Sequence, residues 1–376
     1  MNDLEKENRA EELSKLFQNN WKKAPEKGPA EKILKAANAS FGGDFYKSGA
    51  YLMVYDLIMC ATPVVIRYIL LWLDNPVQAA IWYPFCLIIV LFLLQIIAAF
   101  LYNYQFELAA KVGFQMRTAL SQSLFTKFFK LSNAARQVYS IGKIVNISST
   151  DCFKIDLAAQ YFHMMWTSVV MIFVVFALLF AYLGIASLSG FALILLYLPF
   201  QYHISKANAI YRRKANVFTD QRMRIIQESL KGIRVIKAYN WENSFMKVIA
   251  ELRKKESKFI YLFLAARATA SSITQAVPTL AMVITFIIYY AMGLDLSIAT
   301  VIPSLALFYA LRVPMLFAPV AIAYSLDAWI SFGRIGAFLD APELDQDKLL
   351  SENVAKKQSA DQDKLLQEND IIKQSL

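Results

Sequence analysis

Two polar, basic stretches, 103–157 and 204–259, separate apolar runs that elsewhere are joined by only a few residues. No other feature constrains the fold as much. A helix needs about 20 mostly apolar residues to cross a bilayer. Six stretches reach that length: 50–73, 79–102, 158–182, 184–203, 262–292 and 298–330. The first is interrupted by Asp56, Pro63 and Arg67, whereas the second is apolar without a break from Leu87 to Leu94. The chain is 57% hydrophobic and 18% charged. Soluble domains run at about 45–50% and about 25%, so the composition agrees with a membrane class. The expected fold is an all-α membrane protein with six transmembrane helices and two long cytoplasmic helical hairpins.

Charge sets the expected orientation. The stretch 103–157 carries seven Lys/Arg against three acids, and 204–259 carries fourteen against five. The short connections hold no Lys or Arg, only Asp74 and Asp295. Excess Lys/Arg marks the cytoplasmic side, which places both long stretches, the N-terminus and the tail in the cytosol. Both long stretches also read as helix. Leu108, Val112, Met116, Leu120, Leu124 and Phe128 recur at helical spacing without proline, and 204–236 is likewise proline-free. About 25 residues of continued helix would reach ~35–40 Å beyond the bilayer.

The net charge of +10 is spread over segments flanking apolar spans. That distribution argues against a compact basic domain for nucleic acid. Cys60 and Cys86 fall in apolar spans and Cys152 near a loop tip, without CxxC or metal spacing. Cys152 is expected to be an accessible thiol for crosslinking. Three regions are expected: a cytoplasmic lead-in (1–48) with a possible amphipathic helix carrying Leu13, Leu16, Phe17 and Trp21, a six-helix membrane domain (49–340), and a polar tail (341–376). The tail contains a duplication, Asp345-Gln-Asp-Lys-Leu-Leu-Ser-Glu-Asn353 and Asp361-Gln-Asp-Lys-Leu-Leu-Gln-Glu-Asn369. Its polarity predicts disorder.

Five segments, in order, carry a family resemblance. They are Ser40-Phe-Gly-Gly-Asp-Phe45, Val112-Gly-Phe-Gln-Met-Arg-Thr-Ala-Leu120, and Ile141-Gly-Lys-Ile-Val-Asn146 with Asp151. Thr219-Asp-Gln-Arg222 with Glu228-Ser-Leu-Lys-Gly-Ile-Arg-Val-Ile-Lys237 and Trp241-Glu242 follow, then Ser331-Phe-Gly-Arg-Ile-Gly-Ala-Phe-Leu339. From Leu16 to Leu344 the chain resembles the first transmembrane domain of ABC exporters of subfamily C, the multidrug-resistance-associated proteins. Ile141 stands where that family usually has Thr.

The resemblance implies a coupling helix at each cytoplasmic tip, about 142–150 and 231–239, docking into a nucleotide-binding domain. The residues concerned are Gly142, Lys143, Asn146 and Asp151 at the first tip. At the second they are Gly232, Ile233, Val235, Ile236, Tyr239 and Trp241. These apolar residues can instead pack within their own hairpin. No G-x-x-x-x-G-K-[ST] phosphate loop occurs, and Leu188-Ser-Gly190 echoes the family's signature sequence only superficially, inside an apolar span. The chain is therefore expected to bind no cofactor and to hydrolyse no ATP by itself. ATP and Mg are expected on a partner nucleotide-binding domain, and a second transmembrane domain is implied.

Ionisable groups in a bilayer are costly and tend to face a cavity. Arg67, Arg267 and Arg312 outnumber the one deep acid, Asp56, and suggest a pathway favouring anions. Pairing of Arg67 with Asp56, or snorkelling to an interface, are the alternatives. Trp166, Phe308, Tyr309, Phe317 and Tyr324 are candidate aromatic walls. The expected function is the membrane module of an ATP-driven exporter moving organic anions or amphipathic conjugates by alternating access. An anion channel-like or regulatory protein, or a non-transporting fragment, is the alternative. The membrane is expected to be the plasma membrane or a vacuolar/lysosomal one.

Overall fold

The computed structural model describes residues 9–25, 28–74 and 82–344. The first short connection, expected between 74 and 79, and the duplicated tail lie outside the described residues. Secondary structure is helical throughout, apart from one isolated bridge between Leu131 and Glu343. The helices are α1 (Ala10–Lys23), α2 (Pro29–Asp74), α3 (Trp82–Lys130), α4 (Asn133–Val138), α5 (Ile141–Asn146), α6 (Cys152–Leu183), α7 (Ser187–Lys231), α8 (Ile233–Ala238), α9 (Glu242–Ala291), α10 (Ile298–Ala310) and α11 (Arg312–Leu339).

The apolar spans and the polar arms are single helices. α3, α7 and α9 have 49, 45 and 50 residues, so each is roughly 70 Å long at 1.5 Å per residue. Among the described residues five stretches are long and apolar enough to cross a membrane, where the sequence counts six. The difference lies in Ile141–Lys231, a 91-residue run of helical turns that contains both α6 and α7. Here the connection is a three-residue 3₁₀ turn, Gly184–Ala186, in which Gly184 takes φ +56°. A residue with a Cβ pays for that conformation and glycine does not, so the chain reverses without leaving helical geometry for long.

Proline places the other break. The last apolar stretch, expected as one helix rich in proline, divides into α10 and α11 at Leu311. Pro314 has no N–H to return to the carbonyl of Ala310, which ends α10 there. Pro63, Pro199, Pro278, Pro303 and Pro319 are carried inside helices.

The chain divides into two compact units. One comprises residues up to Tyr51, Asn103–His163 and Ala321 onward. Its core joins Phe17 of α1 to Ile33 of α2, Leu120 and Leu124 of α3, Ile155 of α6, and Ile335 and Phe338 of α11. The lead-in helix thus covers its apolar residues Leu13 and Phe17 with protein. The other unit comprises Leu52–Tyr102 and Met164–Val320. Its core is built from Met171, Val175, Leu179, Ile194, Tyr197, Val277, Ala281 and Phe308. Ile88, Phe92, Ile96 and Phe100 of α3 are exposed, an apolar surface suited to lipid rather than water.

Candidate functional site

The first tip lies between α3 and α6. Ser132 and Ser140 cap α4 and α5, their hydroxyls accepting from the backbone N–H of Ala135 and Lys143 at 3.3 and 3.4 Å. A π turn, Ile147–Asp151, joins α5 to α6. Such turns insert an extra residue into the helical ladder and recur at functional sites. Here the turn delivers Asp151 to the interior, where it is fully buried. One carboxylate oxygen of Asp151 accepts from the Ser331 hydroxyl at 3.1 Å and faces Arg334 at 3.5 Å and Lys154 at 3.9 Å.

Asp151 therefore braces the base of the first tip and offers no surface to a partner, unlike the role the resemblance implied. Cys152 is also fully buried, which corrects the expectation of an accessible thiol. Gly142, Lys143 and Asn146 are exposed. The Lys143 ammonium lies 4.7 Å from the Tyr139 ring centre.

The second tip is α8, carried at the far end of the α7–α9 hairpin. The two long helices are antiparallel: Gly190 meets Thr285, Tyr197 meets Thr274, Phe218 stacks on Phe259, and Arg222 pairs with Glu256. At Gly190 a Cβ would collide with the Thr285 hydroxyl and come within 3.2 Å of the Ala281 carbonyl. Close helix crossing therefore accounts for this glycine, and the echo of a signature sequence has no bearing on it. Of the α8 region, Ile236 turns inward and is buried. Ile233, Val235, Tyr239 and Trp241 are exposed, and the rings of Tyr239 and Trp241 stack at 5.2 Å. Asn240 between them takes φ 53°, a conformation asparagine tolerates better than most residues. Neither tip glycine is needed by the fold. A Cβ would meet nothing within 4 Å at Gly142, and only an ordinary 3.5 Å contact at Gly232.

Sequence reasoning did not single out Glu256, which lies six residues before the apolar stretch of α9. Its carboxylate accepts from Thr219 at 2.7 Å, from Arg222 at 2.8 and 3.2 Å, and from Arg253 at 3.0 Å. The Arg222 hydrogen bonds are the largest cause of a pKa lowered to about 2. Only an isolated acid in a basic run, Arg253-Lys-Lys-Glu-Ser-Lys258, could have signalled it.

The expected pathway residues divide. Arg67 is half-buried and stacks on Tyr182 at 4.0 Å, while Asp56 is hydrogen-bonded by Thr167. The alternative pairing of Arg67 with Asp56 is not among the ion pairs of the described residues. Arg312 lies 4.4 Å from the exposed Tyr309 ring and donates to Thr279 at 2.9 Å. Arg267 and Trp166 are exposed, and Phe317 is half-buried. Phe308 is 2% exposed and packs as core, so its ring lines no open surface. Tyr324 belongs to the other unit, 5.4 Å from Tyr161. Among the described residues no group of three or more His, Cys, Asp or Glu is placed to hold a metal.

The family model of the ABC transporter transmembrane region matches residues 47–315. The chain belongs to the ABC transporter transmembrane family. Its similarities extend to subfamily C. An ABC-type transporter of Zymoseptoria tritici is 34% identical over 84% of this chain and 24% of its own length. Multidrug resistance protein fer6 of Mycosarcoma maydis is 37% identical over 70% of this chain and 20% of its own. Human ATP-binding cassette sub-family C member 2 is 29% identical over 84% and 21%. The chain thus spans about a fifth to a quarter of the curated relatives it matches. Apolar helices together with this membership make it an integral membrane protein.

Within the ABC membrane family the matched segments acquire physical roles here. At Gly113 a Cβ would lie 2.8 Å from the Asp156 backbone oxygen, so glycine lets α3 and α6 cross closely. Arg117 then reaches Asp156 at 3.6 Å. In the last segment Gly336 abuts the Pro29 backbone, Ser331 and Arg334 hold Asp151, and Phe338 meets Tyr139 edge-on at 5.0 Å.

Proposed function

We propose that this chain is the membrane module of an ATP-driven exporter. Six helices form half of a pathway, α6 and α7 supplying two of the spans. The arms and both termini lie in the cytosol, and α5 and α8 dock on nucleotide-binding domains that carry ATP and Mg. A second transmembrane domain completes the pathway. Nucleotide state at the partner domains biases inward- and outward-facing packings, which is alternating access. Arg267 and Arg312, with Trp166, Tyr309 and Phe317, are the residues proposed to meet organic anions or amphipathic conjugates.

The observation that carries this reading is α8. Four large apolar residues stand exposed on six helical residues and their flanks, at the end of two long helices locked by Glu256. A solvated loop has no use for such a surface, whereas a partner's groove has. The glycines at both tips, unneeded by the fold, leave room for close approach. The printed names of the relatives, which include an ATP-binding cassette protein and a multidrug resistance protein, support the same reading.

A photo-crosslinking residue at Tyr239 or at the exposed Asn146 in native membranes tests it. Adducts to a protein or segment with a phosphate loop are expected, formed on the cytosolic face. Adducts from the outer face, or none to a nucleotide-binding domain, overturn the proposal. Steady anion current without ATP would replace transport by conduction.

A further inference from the structure

An open apolar groove of about 430 Å³ lies against the first tip, lined by Leu124, Phe125 and Phe128 of α3 and by Ile141, Ile144 and Val145 of α5. Phe125, Ile141 and Val145 are 60–72% exposed on a polar arm, where water would otherwise face them. The helices that form it also carry basic residues, Lys127 and Lys130 on α3 and Lys143 on α5, of which Lys127 already holds Glu343.

The last described residues lead to this place. The Leu344 N–H donates to the Lys130 carbonyl at 2.8 Å, Glu343 pairs with Lys127 at 2.8 Å, and Ser132 N–H donates to the Pro342 carbonyl at 3.1 Å. The chain is thereby pinned to the end of α3. Phe128 and Phe125 stand two and five residues back along that helix, about 3 and 8 Å by helical rise.

The sequence that follows has matching chemistry. Each copy of the duplication sets a Leu-Leu pair, Leu349-Leu350 and Leu365-Leu366, among three acids and one lysine. From Leu344 the first pair is five and six residues away, a reach of about 20 Å for extended chain, and the second copy has ample length. We propose that the duplicated Asp-Gln-Asp-Lys-Leu-Leu segment docks in this groove within the same chain, leucines into the apolar lining and acids toward the lysines of α3 and α5. Two copies of one ligand on a short tether raise its effective concentration at a single site. The tail takes the Val145 face of α5, whereas the exporter reading is probed at Tyr239 and Asn146 outside this groove, so failure of one leaves the other standing.

The test places a photo-crosslinking residue at Phe125, and separately at Val145, in the full chain in lipid nanodiscs, mixing isotopically heavy and light chains. Expected are same-isotope adducts to peptides containing Leu349-Leu350 or Leu365-Leu366. They should fall at least fivefold when the four leucines become serine, and fall with added salt. A probe at Phe114, exposed elsewhere on α3, should give none. Mixed-isotope adducts would assign the groove to a second copy, and adducts only to another protein would assign it to a partner. Either result, or no tail adduct from both probes, overturns the proposal.

Discussion

Arg222 donates to both carboxylate oxygens of Glu256, through Nε at 2.8 Å and Nη2 at 3.2 Å. This bidentate pair ties α7 to α9 in the polar part of their hairpin, and Thr219 and Arg253 complete its shell. The carboxylate is hidden by its own partners rather than by a deep core. The hairpin that presents α8 is therefore fixed in register by one acidic residue.

Replacing Glu256 with alanine should lower thermal stability by about 2 kcal/mol. That is the scale of hydrogen bonds to a charged group, discounted because Arg253 stays open to water. The pH dependence follows from the depressed pKa. The folded carboxyl titrates near 2 against 4.5 when free, so its contribution is complete above pH 4.5 and drains away as pH falls toward 2. Unfolding temperatures of wild type and E256Q should converge across that window. Parallel curves would show that the pair contributes nothing.

Gly113→Ala should destabilise the protein by about 1–3 kcal/mol, because the added Cβ meets the Asp156 backbone oxygen at 2.8 Å as well as its carboxylate at 2.5 Å, and the backbone cannot swing away. Gly43→Ala is the matched control on α2, where nothing lies within 4 Å. It should be neutral or raise stability by about 0.5–1 kcal/mol through helix propensity. Scanning fluorimetry of the two variants in detergent gives the comparison, and equal melting temperatures would remove the close-crossing account.

Ser331→Ala should cost about 1 kcal/mol, one net hydrogen bond. Asp151→Ala should cost roughly 3 kcal/mol, since it strips a buried acceptor from a serine and leaves Arg334 without its anion. Limited proteolysis between 131 and 151 is the readout, with cleavage faster in D151A than in S331A.

Gly142→Ala should stabilise α5 by about 0.5–1 kcal/mol and yet weaken crosslinking from Asn146 to a nucleotide-binding domain by severalfold. A variant that gains stability and keeps full crosslinking would show that the glycine serves no partner.

Much of the helical architecture follows from the sequence because hydrophobic length and helical periodicity act locally. A run such as 87–94 can only be a buried or lipid-facing helix, and proline-free arms can only continue it. The apolar and aromatic residues of the second tip were legible for the same reason, the tip glycines only through the family resemblance. Local patterns did not show which charges would meet. Asp151 reads as part of a tip until a π turn rotates it inward to Ser331 and Arg334. Phe308 reads as a pathway wall until Gly190 lets α7 and α9 close over it. Glu256 is one acid among many until antiparallel packing sets it against Arg222. Composition and periodicity depend on neighbours in the chain. Pairing and burial depend on which helices cross and how closely, and that was decided only in three dimensions.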